Sequence, residues 1–548
     1  MRSQVILSLL STYFSTSRLS FLSGPSSKLS SGLKEVFSDD NQLPVNKSIA
    51  IVGAGSAGLA MLKTLTELPD ETKQSLNFIL FEEREDVGGI WLPDINIVHP
   101  PQLPETPLYP RLRTNTPVPT MTYPNVTFPP GTPLFPSHVH ILAYLKRYAS
   151  RFDLYDHIAF NHKVTEAKWL GTPYAGQWNL TVLNSNGTNE TKIVDHLVVA
   201  TGNNHIPRSP SWPGQDSWLR QSTDREILHS IYYKGPERYT NKTVLVVGGG
   251  ASGRDASSQI YGVAQKVYVS LHHPSSLEIP PEIEIRPDIS HFTNNTIVFV
   301  DKSQVKVDSV LLATGYQMRK PFLEAGDVMA IHPKTRFRQS NEDDRDDDIT
   351  ASSPTLTTNF KYIFPLHKHI LSLCASHPPT ALSFIGLPSG IANCPSDYAQ
   401  GLFVTHVILY PNILPSRDEM LAELELQEQT IREHGLNPYE VGHRLLNGTS
   451  SEYQDDLVDF LRDKGVISPY TPKFVEQWRR DANYPYLRRG WIHIEDLGEA
   501  DQWLEGVETE AEWADLMNRV DAWQHDWENE NNISFVPDPL QFSYVDDY

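Results

Sequence analysis

Residues 51–58 read IVGAGSAG and residues 246–253 read VVGGGASG, so one chain carries Gly-x-Gly-x-x-Gly twice. Each copy follows an apolar run: SIAIV before Gly53, Gly55 and Gly58, and TVLVV before Gly248, Gly250 and Gly253. A strand that enters a helix through such a turn is a dinucleotide-binding arrangement. The first glycine permits the tight turn, the second lets backbone approach a pyrophosphate, and the third lets helix pack on strand. The helix start, with Ser56 and Ala57 in one copy and Ala251 and Ser252 in the other, adds unpaired N–H groups and a positive dipole end. A single copy also serves as a plain strand-to-helix corner. Two copies in the same context argue for two bound nucleotides.

The 548 residues can form two or three domains with a large core, and 39% apolar with 21% charged residues is ordinary globular composition. A formal net charge of −21 argues against nucleic acid, whose phosphates would be repelled. Only two cysteines occur, Cys374 and Cys394, which excludes a disulfide framework, a cysteine zinc site and a Cys-x-x-Cys dithiol. They read as buried thiols. His138 with His140, and His367 with His369, have no carboxylate cluster beside them, so no metal is expected.

Residues 1–34 lack Asp and Glu, are rich in Ser and include the run VILSLL. This reads as a secretory or mitochondrial leader, too short to span a bilayer, and no later stretch reads as a transmembrane helix. Sequons at Asn125, Asn179, Asn186 and Asn241 suit a secretory route, yet Asn241 abuts the second nucleotide strand. The compartment stays open between cytoplasmic and ER-associated.

Beyond the first cradle, NFILFEERE is an apolar strand ending in acid. Glu82 at its tip is placed to accept hydrogen bonds from ribose hydroxyls, somewhat beyond the usual 20-residue spacing, whereas Glu83 points to the other face. Then comes VGGIW, residues 87–91. GAGSAG, FE and GGIW in this order resemble the FAD half of the flavin-containing monooxygenases, in a fungal-like, N- and S-oxygenating branch. The resemblance runs on through YPRLRTNTPVPTMTYPN, where Asn115 falls on the family's asparagine beside the reactive flavin edge. It implies FAD contacts from Gly89, Ile90, Trp91, Thr114 and Asn115 as well as from the first cradle. In FPSHVHILAYLKRYASRF, Ile141, Leu145, Tyr148 and Phe152 have helical spacing, and Ser137 is a candidate cap.

Next, KWLGTPYAGQWNLTVLNSNGTNETKIVDHLVVATG reads as strands with a hairpin at Asn186–Gly187, ending in a family turn at Ala200–Gly202. Proline-rich PRSPSWPG follows as a linker. A second ATG turn, Ala313–Gly315 followed by Tyr316, closes the insertion, and SDYAQGLFVTHVI and ILPSRDEM carry the resemblance to about residue 420. The expected fold class is α/β, two Rossmann-like dinucleotide-binding domains with the NADPH domain inserted into the FAD domain. The expected segments are a leader at 1–43, the FAD domain at 44–206, the NADPH domain at 207–319 and the FAD domain again at 320–548. That last segment includes an acidic surface loop at 336–359 and a helical extension. In the extension Trp503, Trp513 and Trp523 are expected to pack on the FAD domain or another subunit rather than on anionic lipid.

Three departures from the family stand out. Its signature between the domains keeps His229, Ser230 and Tyr233 here, but Thr223 and Arg225 stand in place of Phe and Gly. Tyr233 favours the monooxygenase branch over the Baeyer–Villiger branch, which has Trp. The second nucleotide strand, KVYVSLHHPS, ends with neither an acid nor an arginine, which leaves Ser270, His272 and His273 as 2′-phosphate contacts. Ala251 replaces a common asparagine.

The resemblance implies an FAD- and NADPH-dependent monooxygenase. It would pass one oxygen atom of O2, through a flavin C4a-hydroperoxide, to a soft nitrogen or sulfur nucleophile of a small molecule, with Asn115 as the catalytic residue. A Baeyer–Villiger oxygenase, an NAD(P)H oxidase and a non-catalytic flavoprotein are the alternatives. A homodimer is compatible with the sequence.

Overall fold

The computed structural model describes residues 47–272, 280, 282–332, 355–446, 448–470 and 472–533. Residues 1–43, expected as a leader, His273 and most of the expected acidic loop lie outside them. β1 (Lys47–Val52) feeds helix α1 (Ser56–Thr66), and β2 (Leu76–Glu82), helix α2 (His138–Arg151) and β3 (Ile158–Phe160) follow. A meander of β4 (Lys163–Gly171), β5 (Gly176–Leu183) and β6 (Asn189–Val194) precedes β7 (His196–Val199). The inserted unit holds β8 (Glu226–His229), β9 (Thr243–Val247), helix α3 (Ala251–Tyr261), β10 (Lys266–Ser270) and β11 (Glu284–Arg286). It adds a second meander, β12 (Ile289–Phe292), β13 (Ile297–Phe299) and β14 (Gln304–Val305), and closes on β15 (Ser309–Leu312).

After a small sheet of β16 (Met329–Ile331), β17 (Leu356–Thr358) and β18 (Ile363–Phe364), the chain returns to the first sheet. It does so with β19 (Leu366–His367), β20 (Leu371–Ser372) and β21 (Leu382–Phe384). The first sheet is ordered β19-β20-β21-β7-β1-β2-β3 and the second β11-β10-β9-β15-β8. Strands from either end of the chain therefore flank one sheet while the residues between them build another. This is two Rossmann-like units, the second inserted into the first.

Both units repeat one layering, and the strand residues explain it. In β1, Ile49 and Ile51 join one apolar cluster and Ala50 and Val52 the other, so the strand is buried on both faces. The first cluster takes in α1 and helix α4 (Asn393–Leu409); the second takes in Trp178, Leu180 and Val182 of the meander. In β9, Val244 and Val246 face Ala256 and Ile260 of α3, whereas Leu245 and Val247 face Phe292 and Phe299 of the other meander. Each unit is helix, parallel sheet, antiparallel meander.

The carboxyl-terminal helices include α5 (Arg417–Glu433), α6 (Ser450–Asp463), α7 (Leu487–Asp496) and α8 (Glu510–Glu530). Trp491 and Trp513 are buried in the same cluster as α1, and Trp503 and Trp523 pack against it, so these four tryptophans of the tail belong to the core of the first unit. Cys374 and Cys394 are buried thiols. Ser137 occupies the N-cap of α2, but its hydroxyl makes no cap bond and lies 3.2 Å from His140 Nδ1 instead. Among the described residues no helix is long and apolar enough to cross a membrane, and no three His, Cys, Asp or Glu side chains are grouped to hold a metal.

Candidate active site

The two cradles are built by the same backbone bonds. Gly53 N–H donates to the Phe81 carbonyl at 2.8 Å, and Gly248 N–H to that of Ser270 at 3.0 Å. Gly53 and Gly248 have φ of 103° and 112°, in the region that favours glycine. A Cβ on Gly58 would stand 1.8 Å from the Gly53 carbonyl oxygen, and one on Gly253 2.0 Å from that of Gly248, so only glycine lets either helix start there. The ATG turns close each cradle from the neighbouring strand, with Ala200 N–H on Val52 and Ala313 N–H on Val247. First-turn N–H groups have no intrahelical partner, so both helix starts present donors to an anion.

What surrounds the cradles differs. Glu82, 6% exposed, accepts from Ala54 N–H at 2.6 Å and Arg84 N–H at 2.9 Å, and burial raises its pKa against these two bonds. The acid expected to meet a ribose thus also pins the cradle loop. Ser56 is held at both ends: its hydroxyl donates to Asp397 Oδ2 on α4 at 2.7 Å, and its carbonyl accepts from Tyr123 at 2.7 Å. Asp397 is almost fully buried and burial pushes its carboxyl up to about 7. Sequence reasoning passed over it, although it lies inside the SDYAQ stretch. Gly89, Ile90 and Trp91 form a short 3-10 turn whose Gly89 faces Gly55, since a Cβ on Gly55 would lie 3.6 Å from the Gly89 Cα. Arg84 holds that turn through the Leu92 carbonyl at 2.6 Å and the Pro93 carbonyl at 2.7 Å.

The second cradle corrects the sequence reading. Ser270 accepts the Gly248 bond as Phe81 accepts the Gly53 bond, so the counterpart of Glu82 is Leu271, which is buried. Ser270 is turned inward, 3% exposed, and its hydroxyl donates to the Pro287 carbonyl at 2.8 Å, which removes it as a phosphate contact. His272 is exposed at the strand tip but its Nδ1 meets Asp288 Oδ2 at 2.5 Å. An acid and an arginine do reach this edge: β11, paired in parallel with β10, brings Arg286 opposite Ser270, and Asp288 follows two residues on. Sequence spacing hid them because they arrive from another strand. Ala251 and Ser252 are exposed at the start of α3, and in the same turn Arg254 Nε is buried with no hydrogen-bond partner.

One segment, Tyr109–Tyr123, spans both cradles. At one end the Tyr109 hydroxyl donates to Asp255 on α3, and its ring stands edge-on to Tyr233 at 5.0 Å. Tyr123, at the other end, makes its bond to Ser56 on α1. Between them lie Thr114, buried with an Oγ1 that has no partner, and Asn115, exposed, its amide taken up by no described residue. The signature histidine fastens the second ATG turn to the end of β8. His229 Nε2 donates to the Gly315 carbonyl at 2.9 Å and its Nδ1 accepts from Ile231 N–H at 3.1 Å, so it is a neutral imidazole, pushed down to about 4 by burial.

The residues present fit two dinucleotides. The first cradle offers side-chain-free backbone where Gly55 and Gly89 meet, the pinned Glu82 and the orphan Thr114 hydroxyl, and the second offers open first-turn donors and the orphan Arg254 Nε. A fold and a pair of sites of this kind define a protein that brings two dinucleotides together. The comparisons agree. A family model described as flavin-binding monooxygenase-like matches residues 46–277. Flavin-containing monooxygenase FMO GS-OX-like 9 of Arabidopsis thaliana is 28% identical over 500 residues, covering 83% of this chain and 95% of its own. S-allyl-L-cysteine S-oxygenase from Allium sativum shares the fold with a TM-score of 0.64 at 22% identity, over 88% of this chain and 100% of its own. Tmm from Pelagibacter sp. strain HTCC7211 does so with a TM-score of 0.61 at 19% identity, over 83% and 93%. The chain is similar to the flavin-containing monooxygenases over most of its length, and that likeness carries FAD and NADPH as its cofactors.

Proposed function

We propose that the first cradle holds FAD, that the second takes up NADPH, and that the enzyme transfers one oxygen atom of O2 to a soft nitrogen or sulfur atom of a small molecule. The observation that carries this is the Tyr109–Tyr123 segment, which ties α1 to α3 and presents between them an amide with no protein partner among the described residues. FAD, reduced by NADPH, supplies the chemistry of O2 activation. The chain's own part is geometric and electrostatic. Glu82, Ser56 and the glycines orient one dinucleotide against the other. Asn115, open to solvent and with no protein partner among the described residues, is free to offer a hydrogen bond to the bound cofactors.

A Baeyer–Villiger reaction calls for a cation near the reacting oxygen. The arginines flanking Asn115 are committed elsewhere: Arg111 to Glu237 at 2.6 Å and Arg113 to Glu495 at 2.6 Å. That favours the N- or S-oxygenating reading. The name of the garlic structure, an S-oxygenase, makes a thioether the first substrate class to try. The test is a product assay with FAD, NADPH and air on a thioether, a tertiary amine and a cyclic ketone. A sulfoxide or N-oxide is expected; an ester or lactone from the ketone alone would overturn the reading, as would H2O2 as the sole product.

A further inference from the structure

The segment that carries Asn115 is held from two directions. Ahead of it, the inserted unit anchors residues 106–111: Lys234 Nζ donates to the Leu108 carbonyl at 2.8 Å, Tyr109 bonds Asp255, and Arg111 pairs with Glu237. From the other direction, the anchors come from the carboxyl-terminal helices. Arg113 gives Nη1 and Nη2 to the two oxygens of Glu495 on α7, each at 2.6 Å, and Nε to the Phe135 carbonyl at 2.8 Å. Glu495 is itself set by the Trp491 indole N–H at 2.8 Å, and Trp491 is fully buried. Arg479 reaches from the same tail to the Pro119 carbonyl and to Thr122 Oγ1, both at 2.7 Å, and is tied to Glu510 in the first turn of α8 at 2.8 Å.

A two-point arginine–carboxylate fork fixes angles as well as a distance, which a single contact does not. The residue it fixes is two positions before Asn115, and Thr114 N–H is locked next to it on the Pro136 carbonyl at 3.0 Å. A side chain that must meet a reacting atom loses its effect when displaced by about 1 Å, so the rigidity of its support is part of the site. We infer that the carboxyl-terminal helices serve oxygen transfer, with Glu495, acting through Arg113, as a positioning residue for Asn115. This rests on the role given to Asn115 above.

The test compares wild type, Glu495→Ala, Asn115→Ala and the double variant, as FAD-loaded full-length protein. Three quantities are read: flavin content, the anaerobic rate of flavin reduction by NADPH, and the share of NADPH that ends as H2O2 rather than oxygenated product. Glu495→Ala is expected to keep its flavin and its reduction rate while the H2O2 share rises by about threefold or more. In the Asn115→Ala background the same change adds nothing, because the residue it positions is gone. A charge-swapped pair, Arg113→Glu with Glu495→Arg, is expected to recover part of the coupling, which a merely structural loss would not. Unchanged coupling in Glu495→Ala, or an equal further loss in the double variant, overturns the inference. Full coupling in Asn115→Ala alone overturns the underlying reading instead. Should Glu495→Ala fail to accumulate with flavin, Glu495→Gln keeps the volume and an acceptor for Trp491. The same three quantities are then read on it, and a raised H2O2 share supports the inference while an unchanged one overturns it.

Discussion

The two cradles share a backbone and differ in everything that grips it. In the first, α1 is buried from Ala57 to Leu65 between the sheet and α4, its opening turn is fastened by Asp397 and Tyr123, and Glu82 pins the loop before it. In the second, Leu271 stands where Glu82 would be, and Ala251 and Ser252 open to solvent. Only Gly253, Ala256, Ser257 and Ile260 of α3 are buried. A site fastened on every side suits a cofactor held through many turnovers, whereas an open one suits a coenzyme that enters and leaves. The glycine motif specifies the turn, and the residues around it specify how long the guest stays.

The third glycines break the comparison most sharply. Gly58→Ala is expected to yield no FAD-loaded protein, because its methyl group would meet the Gly53 carbonyl inside a closed core. Gly253→Ala meets an equally hard contact in the open unit. It is expected to stay yellow and to lose NADPH-driven reduction, as flavin absorbance and anaerobic mixing would show. Equal flavin loss in both would mean that the two units do not differ in grip.

Glu82→Gln is the next test. A single amide oxygen cannot accept both the Ala54 and Arg84 N–H groups, and one lost buried hydrogen bond costs roughly 1 to 3 kcal/mol, or about tenfold to a hundredfold in FAD affinity. Fluorescence titration of the apoprotein measures it, and no equivalent sensitivity is expected at Leu271.

Acid should sharpen the contrast further. Burial pushes His196, His369 and His377, all in the first unit, down to about 4, with His229 of the inserted unit likewise. These groups are neutral when folded and take up protons on unfolding. Stability therefore falls as pH drops from the ordinary value of 6.5 to about 4, by up to about 1.4 kcal/mol per pH unit for each group. Asp397, raised to about 7, works in the opposite sense, since its carboxyl binds a proton more tightly when folded and its contribution falls as pH rises toward 7. Urea midpoints across pH 4 to 8 would show the slope, and His229→Gln should flatten it.

The smallest effect is expected at Asp288. Its charge lies beside His272 at the edge where a 2′-phosphate would sit, but the pair is about half exposed and screened. Asp288→Asn should raise kcat/KM for NADPH over NADH by a few-fold, about 2 to 5, and a shift toward NADH would contradict the placement of the phosphate there.

Much of this was legible in the sequence because it is local. Glycines at fixed spacing after apolar runs, an acid at a strand tip and an Asn-Gly hairpin announce themselves within a dozen residues. So did the insertion, through the second ATG turn at Ala313–Gly315. What stayed hidden is what folding brings from afar. Asp397 reaches Ser56 across more than three hundred residues, Arg286 and Asp288 arrive on a neighbouring strand, and Glu495 meets Arg113 from the far end of the chain. Ser270 misled because a period-2 strand reading assigns a face but cannot tell that the Pro287 carbonyl waits there.

The proposed function rests most directly on Asn115, carried by the segment that ties the two cradles together. Asn115→Ala should bind FAD and accept hydride from NADPH without air at close to the wild-type rate. In air it should release H2O2 in place of product, since the lost hydrogen bond, worth roughly 1 to 3 kcal/mol, is expected to cut the product-to-H2O2 ratio by about tenfold to a hundredfold. The direct measurement is the ratio of oxygenated product to NADPH consumed, taken beside the anaerobic reduction rate. A collapsed ratio with intact reduction is the predicted result, and slowed reduction with an unchanged ratio would contradict it.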